Sequence, residues 1–275
     1  MIPVLFEIGP FKVHSFGLLL GIGFLVGSYL LAMEMRRRKL DPGMANTITL
    51  LAICFGIAGA KILFLIEEWP VFIRNPVSEA FSPGGLTWYG GFVLGMTAIS
   101  IYMRRKKVSF LKVWDCLAVG LILAYGVARI GCHLAGDGDY GFPTTLPWGT
   151  NYEHGTYPPS RALAIFPEIT SQYPGGIVPD NVPCHPTPIY EFLLGLIGFG
   201  LIWKLRTRPW RDGRLFMLYL MLATLFRFSV EFLRINPRIF LGLSEAQIIA
   251  VPLLVLGLVW FINLGKPGET VPAQT

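Results

Sequence analysis

Residues 113–134 read VWDCLAVGLILAYGVARIGCHL, an apolar run of 22 residues in which Asp115, Arg129 and His133 are the acidic and basic groups. A helix needs about 20 apolar residues, range 17–25, to cross the hydrocarbon of a bilayer. The run does not alternate apolar with polar at every second position, so a strand of a membrane barrel is excluded. Six more stretches have the same character: residues 16–33, 47–66, 86–103, 187–203, 215–232 and 246–264. The first of them follows no basic segment and ends in no small-residue cleavage pattern, so it reads as a retained helix rather than a signal peptide. The expected fold is an all-α membrane protein, with residues 1–275 forming one domain of seven transmembrane helices.

Composition agrees. Of the 275 residues, 53% are hydrophobic and 15% charged, against roughly 25% charged in soluble chains. The mean hydropathy of +0.56 excludes a disordered chain, a fibrous repeat and an ordinary cytosolic enzyme. The net charge of +6 comes from short basic clusters beside apolar runs, which points to topology and not to a nucleic-acid partner. Those clusters are Arg36 to Lys39, Arg104 to Lys107 with Lys112, and Lys204, Arg206, Arg208, Arg211 and Arg214, followed by Lys266. They fall after the first, third, fifth and seventh stretches, while the opposite side holds Lys12, Arg74, Arg161, Arg234 and Arg238. Positive-inside bias then places the N-terminus outside and the C-terminus in the cytoplasm.

Residues 135–186 are expected to face outward. Nine prolines, seven glycines and seven aromatics suit a small ordered extracytoplasmic head better than a flexible tether. Cys54, Cys116, Cys132 and Cys184 have no CxxC spacing, so no zinc ribbon or disulfide framework is read from them. Cys132 and Cys184 could pair, or join His133 and His185 around a metal; adjacent side chains diverge, and no metal is expected. Nothing reads as a cofactor motif.

Three cations stand inside the apolar stretches: Lys61, Arg129 and Arg227. Each costs about 2.5–3.5 kcal/mol at mid-membrane without compensation. All three lie in outward-running stretches, one and a half turns from their ends, about 8 Å beneath the outer boundary at 1.5 Å rise per residue. Tyr89 and Glu191 fall in the same layer from other stretches, and Glu231 lies at the outer end of the stretch that holds Arg227. Snorkelling would account for Lys61 alone, but it does not call for matching acids and a tyrosine. Two guanidiniums in this layer suit a phosphate, which they can fork with paired donors while staying charged. After Arg129 the chain leaves the membrane through Gly136-Asp137-Gly138-Asp139-Tyr140-Gly141. That turn can bring Asp137 or Asp139 against whatever Arg129 holds; it lacks the twelve-residue ligand pattern of a calcium loop.

Arg129-Ile130-Gly131 with the turn to Tyr140-Gly141 resembles the signature of bacterial prolipoprotein diacylglyceryl transferases. The likeness continues in order along the chain. Ile8-Gly9-Pro10 with His14, Gly59-Ala60-Lys61 and Gly84-Gly85-Leu86-Thr87-Trp88-Tyr89-Gly90-Gly91 resemble family elements. So do His185-Pro186-Thr187-Pro188-Ile189-Tyr190-Glu191, Phe226-Arg227 through Val230-Glu231-Phe232-Leu233-Arg234, and Ser244 to Gln247. The chain departs from the family at Tyr89, where a His is usual, at Cys132 in place of Asn, and at Ala223 in place of Tyr.

The resemblance implies transfer of the diacylglyceryl group of phosphatidylglycerol to the lipobox cysteine thiol in a prolipoprotein signal peptide. It also implies a place in the bacterial inner membrane among membrane lipids, and no cofactor. It casts Arg129, Arg227, Tyr89 and Glu231 as catalytic, and Lys61, Asp137, Glu191, Gly141 and His185, again with Arg129, as substrate-binding. Two other readings stay open: a paralog acting on a different lipid or acceptor, and a phospholipid-binding or transport protein without catalysis.

Overall fold

The computed structural model describes residues 1–9, 11–82 and 85–264; Pro10, Gly84 and Lys266, singled out above, lie outside them. Each of the seven apolar stretches carries a long helix. These are α1 (Ser15–Arg37), α2 (Gly43–Glu67), α3 (Trp88–Arg105), α4 (Phe110–Ala135), α5 (Thr187–Leu205), α6 (Arg214–Val230) and α7 (Glu245–Asn263). Five of them, α1, α2, α4, α5 and α7, are long and apolar enough to cross a membrane. Helix α3 has 18 residues and closes on Arg104 and Arg105, whereas α6 has 17, opens on Arg214 and carries Arg227 in its last turn. Helix α6 stops two residues short of the expected 232 because Glu231–Leu233 tightens into a 3₁₀ turn, a common way to close a helix. Among the described residues, short helices lie between these elements, and three short antiparallel pairs join them: β1 (Val4–Ile8) with β2 (Phe11–His14), β3 (Thr150–Asn151) with β4 (Pro183–Cys184), and β5 (Arg238–Phe240) with β6 (Leu243–Ser244).

The chain divides into two compact units, Ser28–Cys116 and the remainder. Within the first, α2 and α3 pack through glycine. A Cβ on Gly59 would run into the carbonyl of Gly90, and one on Gly90 into the carbonyl of Gly59. Small residues let membrane helices approach this closely, and dispersion then replaces the hydrophobic drive that lipid does not provide. Lys61 donates from Nζ to Ser82 Oγ at 2.8 Å and lies over the Phe64 ring. Thr87 donates to Glu67 at 2.6 Å, tying the segment before α3 to α2. At the basic end, the fully buried carboxylates of Glu34 and Asp115 meet Arg37 at 2.6 Å and Arg38 at 3.1 Å. This explains how α4 tolerates an acid so near its start.

In the second unit, Gly27 of α1 lies against Gly120 of α4, while Gly126 of α4 meets Gly195 of α5. Helix α7 begins with a capping box: Ser244 accepts from the Gln247 amide, and the Gln247 side chain accepts from the Ser244 amide. Residues 135–186 fold over their own apolar cluster, with Tyr140, Tyr152, Leu163, Phe166, Val178 and Cys184 at its centre. Tyr140 and Tyr152 stack there at 4.1 Å, which explains the aromatic content of so proline-rich a segment. All four cysteines are free thiols, so the pairing of Cys132 with Cys184 left open by the sequence is not formed.

Candidate active site

Three helices, α4, α5 and α6, and the turn after α6 converge on one buried carboxylate. Glu191, in the first turns of α5, has a side chain only 1% exposed. Its Oε1 accepts from Arg227 Nη1 at 2.8 Å and from the Tyr125 hydroxyl at 2.8 Å. Its Oε2 accepts from Arg129 Nε at 2.9 Å and faces Arg234 Nη1 at 3.4 Å. Arg129 and Arg227, predicted to share a layer, thus share a single counter-ion although they come from α4 and α6. Arg129 also stands 4.8 Å over the Tyr125 ring one turn earlier, which shields its apolar stem.

Glu231 is fully buried and takes Arg227 Nη2 at 3.0 Å. Its other oxygen accepts from Asn236 at 2.6 Å and from the Ser244 hydroxyl at 2.7 Å. Asp139 closes the cluster: one oxygen takes Arg129 Nη1, and the other takes Arg234 Nη2. Partial burial opposes its ionisation, but Arg234 and then Arg129 overcome that and hold its pKa well below the usual carboxylate range. Three guanidiniums therefore meet three carboxylates, and the cluster is neutral as it stands.

A backbone crossing sets this geometry. Gly141 bridges Arg234 in antiparallel fashion and donates its N–H to the His185 carbonyl at 2.9 Å. A Cβ at Gly141 would strike the Leu233 carbonyl and come within 2.9 Å of the His185 Cβ. Only a bare Cα fits, and the close approach places Asp139 against Arg234. The Thr187 hydroxyl holds the Asp139 carbonyl at 2.6 Å.

Of the residues singled out in the sequence, Arg129, Arg227, Glu191 and Glu231 are bonded into one network. Gly141 scaffolds it. Asp137 stands beside it, accepting the Asp139 N–H at 3.3 Å. His185 faces the Tyr190 hydroxyl at 3.4 Å, and partial burial lowers its pKa, favouring the neutral ring. Lys61 and Tyr89 belong to the Ser28–Cys116 unit, where Tyr89 occupies the first turn of α3, half exposed.

The sequence reading missed Arg234, counted there as a loop cation, and chose Asp137 over Asp139. The three-residue spacing from Glu231 was the available signal for Arg234, since i,i+3 groups share a helix face. Cys132, Asp137 and Asp139 bring potential ligand atoms within 4.8 Å of one another, but two guanidiniums already hold the Asp139 oxygens, a field that repels a cation. A cavity of about 500 Å³ is lined by His133, Trp148, Thr150, Pro186, Ile189, Tyr190 and Leu193, with none of the six charged residues of the cluster in its wall.

The family model for prolipoprotein diacylglyceryl transferase matches residues 3–263. The chain belongs to this family. It is 31% identical over 263 residues to the phosphatidylglycerol–prolipoprotein diacylglyceryl transferase of Clostridium tetani, covering 95% of this chain and 97% of the relative. The Leptospira interrogans protein of the same name is 30% identical, over 86% of this chain and 76% of its own length. The Clostridium perfringens phosphatidylglycerol–prolipoprotein diacylglyceryl transferase 2 is 31% identical, with 96% and 95% covered. The match takes in all six residues of the charged cluster, so the network lies wholly inside the region that defines the transferase family.

Proposed function

We propose that this chain transfers the diacylglyceryl group of phosphatidylglycerol to the lipobox cysteine of prolipoproteins, at the outer face of a bacterial inner membrane. Seven spans carry the chain across, with the N-terminus outside and residues 135–186 forming an extracytoplasmic head. The charge bias of the connecting segments supports this orientation, and the relatives' names favour the transferase over a different acceptor or a binding protein without catalysis.

The observation that carries the mechanism is the pair of arginines from separate helices fixed on Glu191. Nucleophilic attack by the acceptor thiol on the terminal glycerol carbon forms a C–S bond. It breaks the C–O bond to phosphate, so glycerol phosphate leaves with the electron pair and the thiol proton must be lost. The enzyme's task is to hold the two substrates in line and to stabilise the phosphate as its charge grows. Arg129 and Arg227 carry that load, with Glu191 and Glu231 fixing their planes.

Asp139 marks the anion position. Its two oxygens each take one Nη, from Arg129 and from Arg234, as the two free oxygens of a phosphodiester would. Phosphatidylglycerol entering there displaces that carboxylate, so Arg234 joins Arg129 and Arg227 in holding the phosphate, with Asp137 and His185 contributing to substrate binding; Lys61 is assigned to substrate binding on the family resemblance alone. Each guanidinium of the cluster already faces a carboxylate, so the thiol proton needs an acceptor; Tyr89, which stands where the family has His, is assigned a catalytic role on that resemblance.

The deciding experiment is transfer from labelled phosphatidylglycerol to a lipobox peptide by the reconstituted chain. Release of glycerol phosphate with peptide labelling is expected, together with loss of about 10²–10³ in rate for Arg129→Ala and for Arg227→Ala. A parent chain without transfer overturns the function, and full activity in both variants overturns the assigned roles.

A further inference from the structure

The hairpin β5–β6 links the end of α6 to the start of α7, at the end of the bundle that holds Arg227. Its tip is unusually apolar. Ile239 is 61% exposed, Phe240 63% and Leu241 83%. Phe240 pairs with Leu243 across a two-residue loop, and both loop residues have positive φ, 50° at Leu241 and 73° at Gly242. That turn favours Asn-Gly or Gly-Gly, since a left-handed backbone crowds the Cβ of any bulkier residue. Leucine here is disfavoured by the backbone and, in water, by solvation as well. What the position retains is a protruding apolar side chain.

The base of the hairpin is built rigidly. Arg238 donates to Gln247 Oε1 at 2.9 Å and to the Glu231 carbonyl at 3.0 Å. Ser244 in β6 donates to Glu231. The tip is thus held on the residue that orients Arg227. Arg238 also donates to the Phe232 carbonyl at 3.2 Å, which sets the hairpin's base beside a second apolar side chain, since Phe232 is 52% exposed and packs edge-on against Phe228 of α6.

We propose that Ile239, Phe240 and Leu241 insert into the outer leaflet of the bilayer and dock the arginine cluster at the depth of the phospholipid phosphates. The proposal rests on the transferase reading for its location. The occupant is the lipid surface because the exposed apolar tip leads directly into α7, a helix long and apolar enough to cross a membrane. An extended apolar segment of the substrate peptide would need a groove to hold it.

The test uses the full chain with Cys54→Ser, removing the one exposed thiol, and a nitroxide attached at Leu241→Cys. It is reconstituted in phosphatidylcholine–phosphatidylglycerol vesicles. Collision with oxygen well above collision with a water-soluble nickel chelate is expected, without any peptide present. Water-like collision, or a membrane-like ratio that arises only on adding lipobox peptide, overturns the proposal; the second outcome assigns the tip to the peptide.

Leu241→Asn supplies a functional arm free of a folding defect, because the Asn-Gly turn suits the hairpin better than the parent. Combined with Phe240→Ser, it should raise KM for phosphatidylglycerol in vesicles at least tenfold, since a factor of about ten is the low end for losing the burial of even one such side chain, with kcat little changed. An unchanged KM overturns insertion while leaving the transferase assignment standing. Absence of transfer by the parent chain would instead count against that assignment.

Discussion

Replacing Glu191 by Gln tests the cluster at its centre. The substitution keeps the shape and one oxygen but removes the charge shared by three arginines. Four donors converge on the Glu191 carboxylate, Tyr125 and Arg227 on one oxygen, Arg129 and Arg234 on the other. The new amide nitrogen is itself a donor, so it faces one of those pairs. The Oε1 side is the cheaper place for it, because the Tyr125 hydroxyl can turn to accept and an arginine cannot. The charge-assisted bonds lost there are worth about 1.5–3 kcal/mol each. Breaking a buried ion pair from one side costs about 3–5 kcal/mol as a rule, and with Glu191 only 1% exposed that range applies undiscounted. At roughly 2–4 °C per kcal/mol for a chain of this size, the melting temperature in detergent should fall by about 10 °C. Scanning fluorimetry of the purified chain, with Tyr125→Phe in both backgrounds, reads this directly. A Glu191→Gln variant melting within about 2 °C of the parent, less than 1 kcal/mol, would refute the shared counter-ion. A Tyr125→Phe change that costs stability in the parent and nothing in the variant would refute only the placement of the new amide against Tyr125.

Arg227→Lys should lose nearly as much transfer as Arg227→Ala, because one ammonium cannot bond Glu191 and Glu231 in a plane at once; rates with labelled phosphatidylglycerol check it. Gly90→Val should cost about 1–3 kcal/mol or more by overpacking, since its new Cβ meets the Gly59 carbonyl of α2, and a thermal melt reads the loss. Asp139→Asn should destabilise the chain by an amount that depends on pH. The folded pKa of Asp139 lies below its ordinary value, so its contribution is complete above about pH 4. It fades as the pH falls toward the folded value. Melts of parent and variant from pH 7 to 3 should therefore stay apart down to about pH 4.5 and draw together below it.

The helices were legible because bilayer thickness sets their length and apolar runs declare themselves without partners. Helix ends were less so: α4 begins at Phe110 instead of 113, and the acid inside that start is tolerated only because Arg38 comes from a different part of the chain. The arginine layer was legible from depth alone, since Arg129 and Arg227 sit equally far from the ends of their stretches. Arg234 was not, because its role depends on Gly141 crossing beside it, a pairing between residues 93 positions apart. The choice between Asp137 and Asp139 was hidden for the same reason. Two acids in a glycine turn look alike until the backbone of residues 233 to 234 fixes which one faces inward.

The Ser244 hydroxyl accepts from the amide that opens α7 and donates to Glu231, whose carboxylate orients Arg227. A nascent chain that has emerged only as far as α6 carries Arg129, Glu191 and Arg227 but lacks Glu231, Arg234 and Ser244, which follow that helix. A chain truncated before residue 244 would keep the Asn236 bond to Glu231 and lose the Ser244 one, so synthesis must pass that serine before every bond to this carboxylate can form.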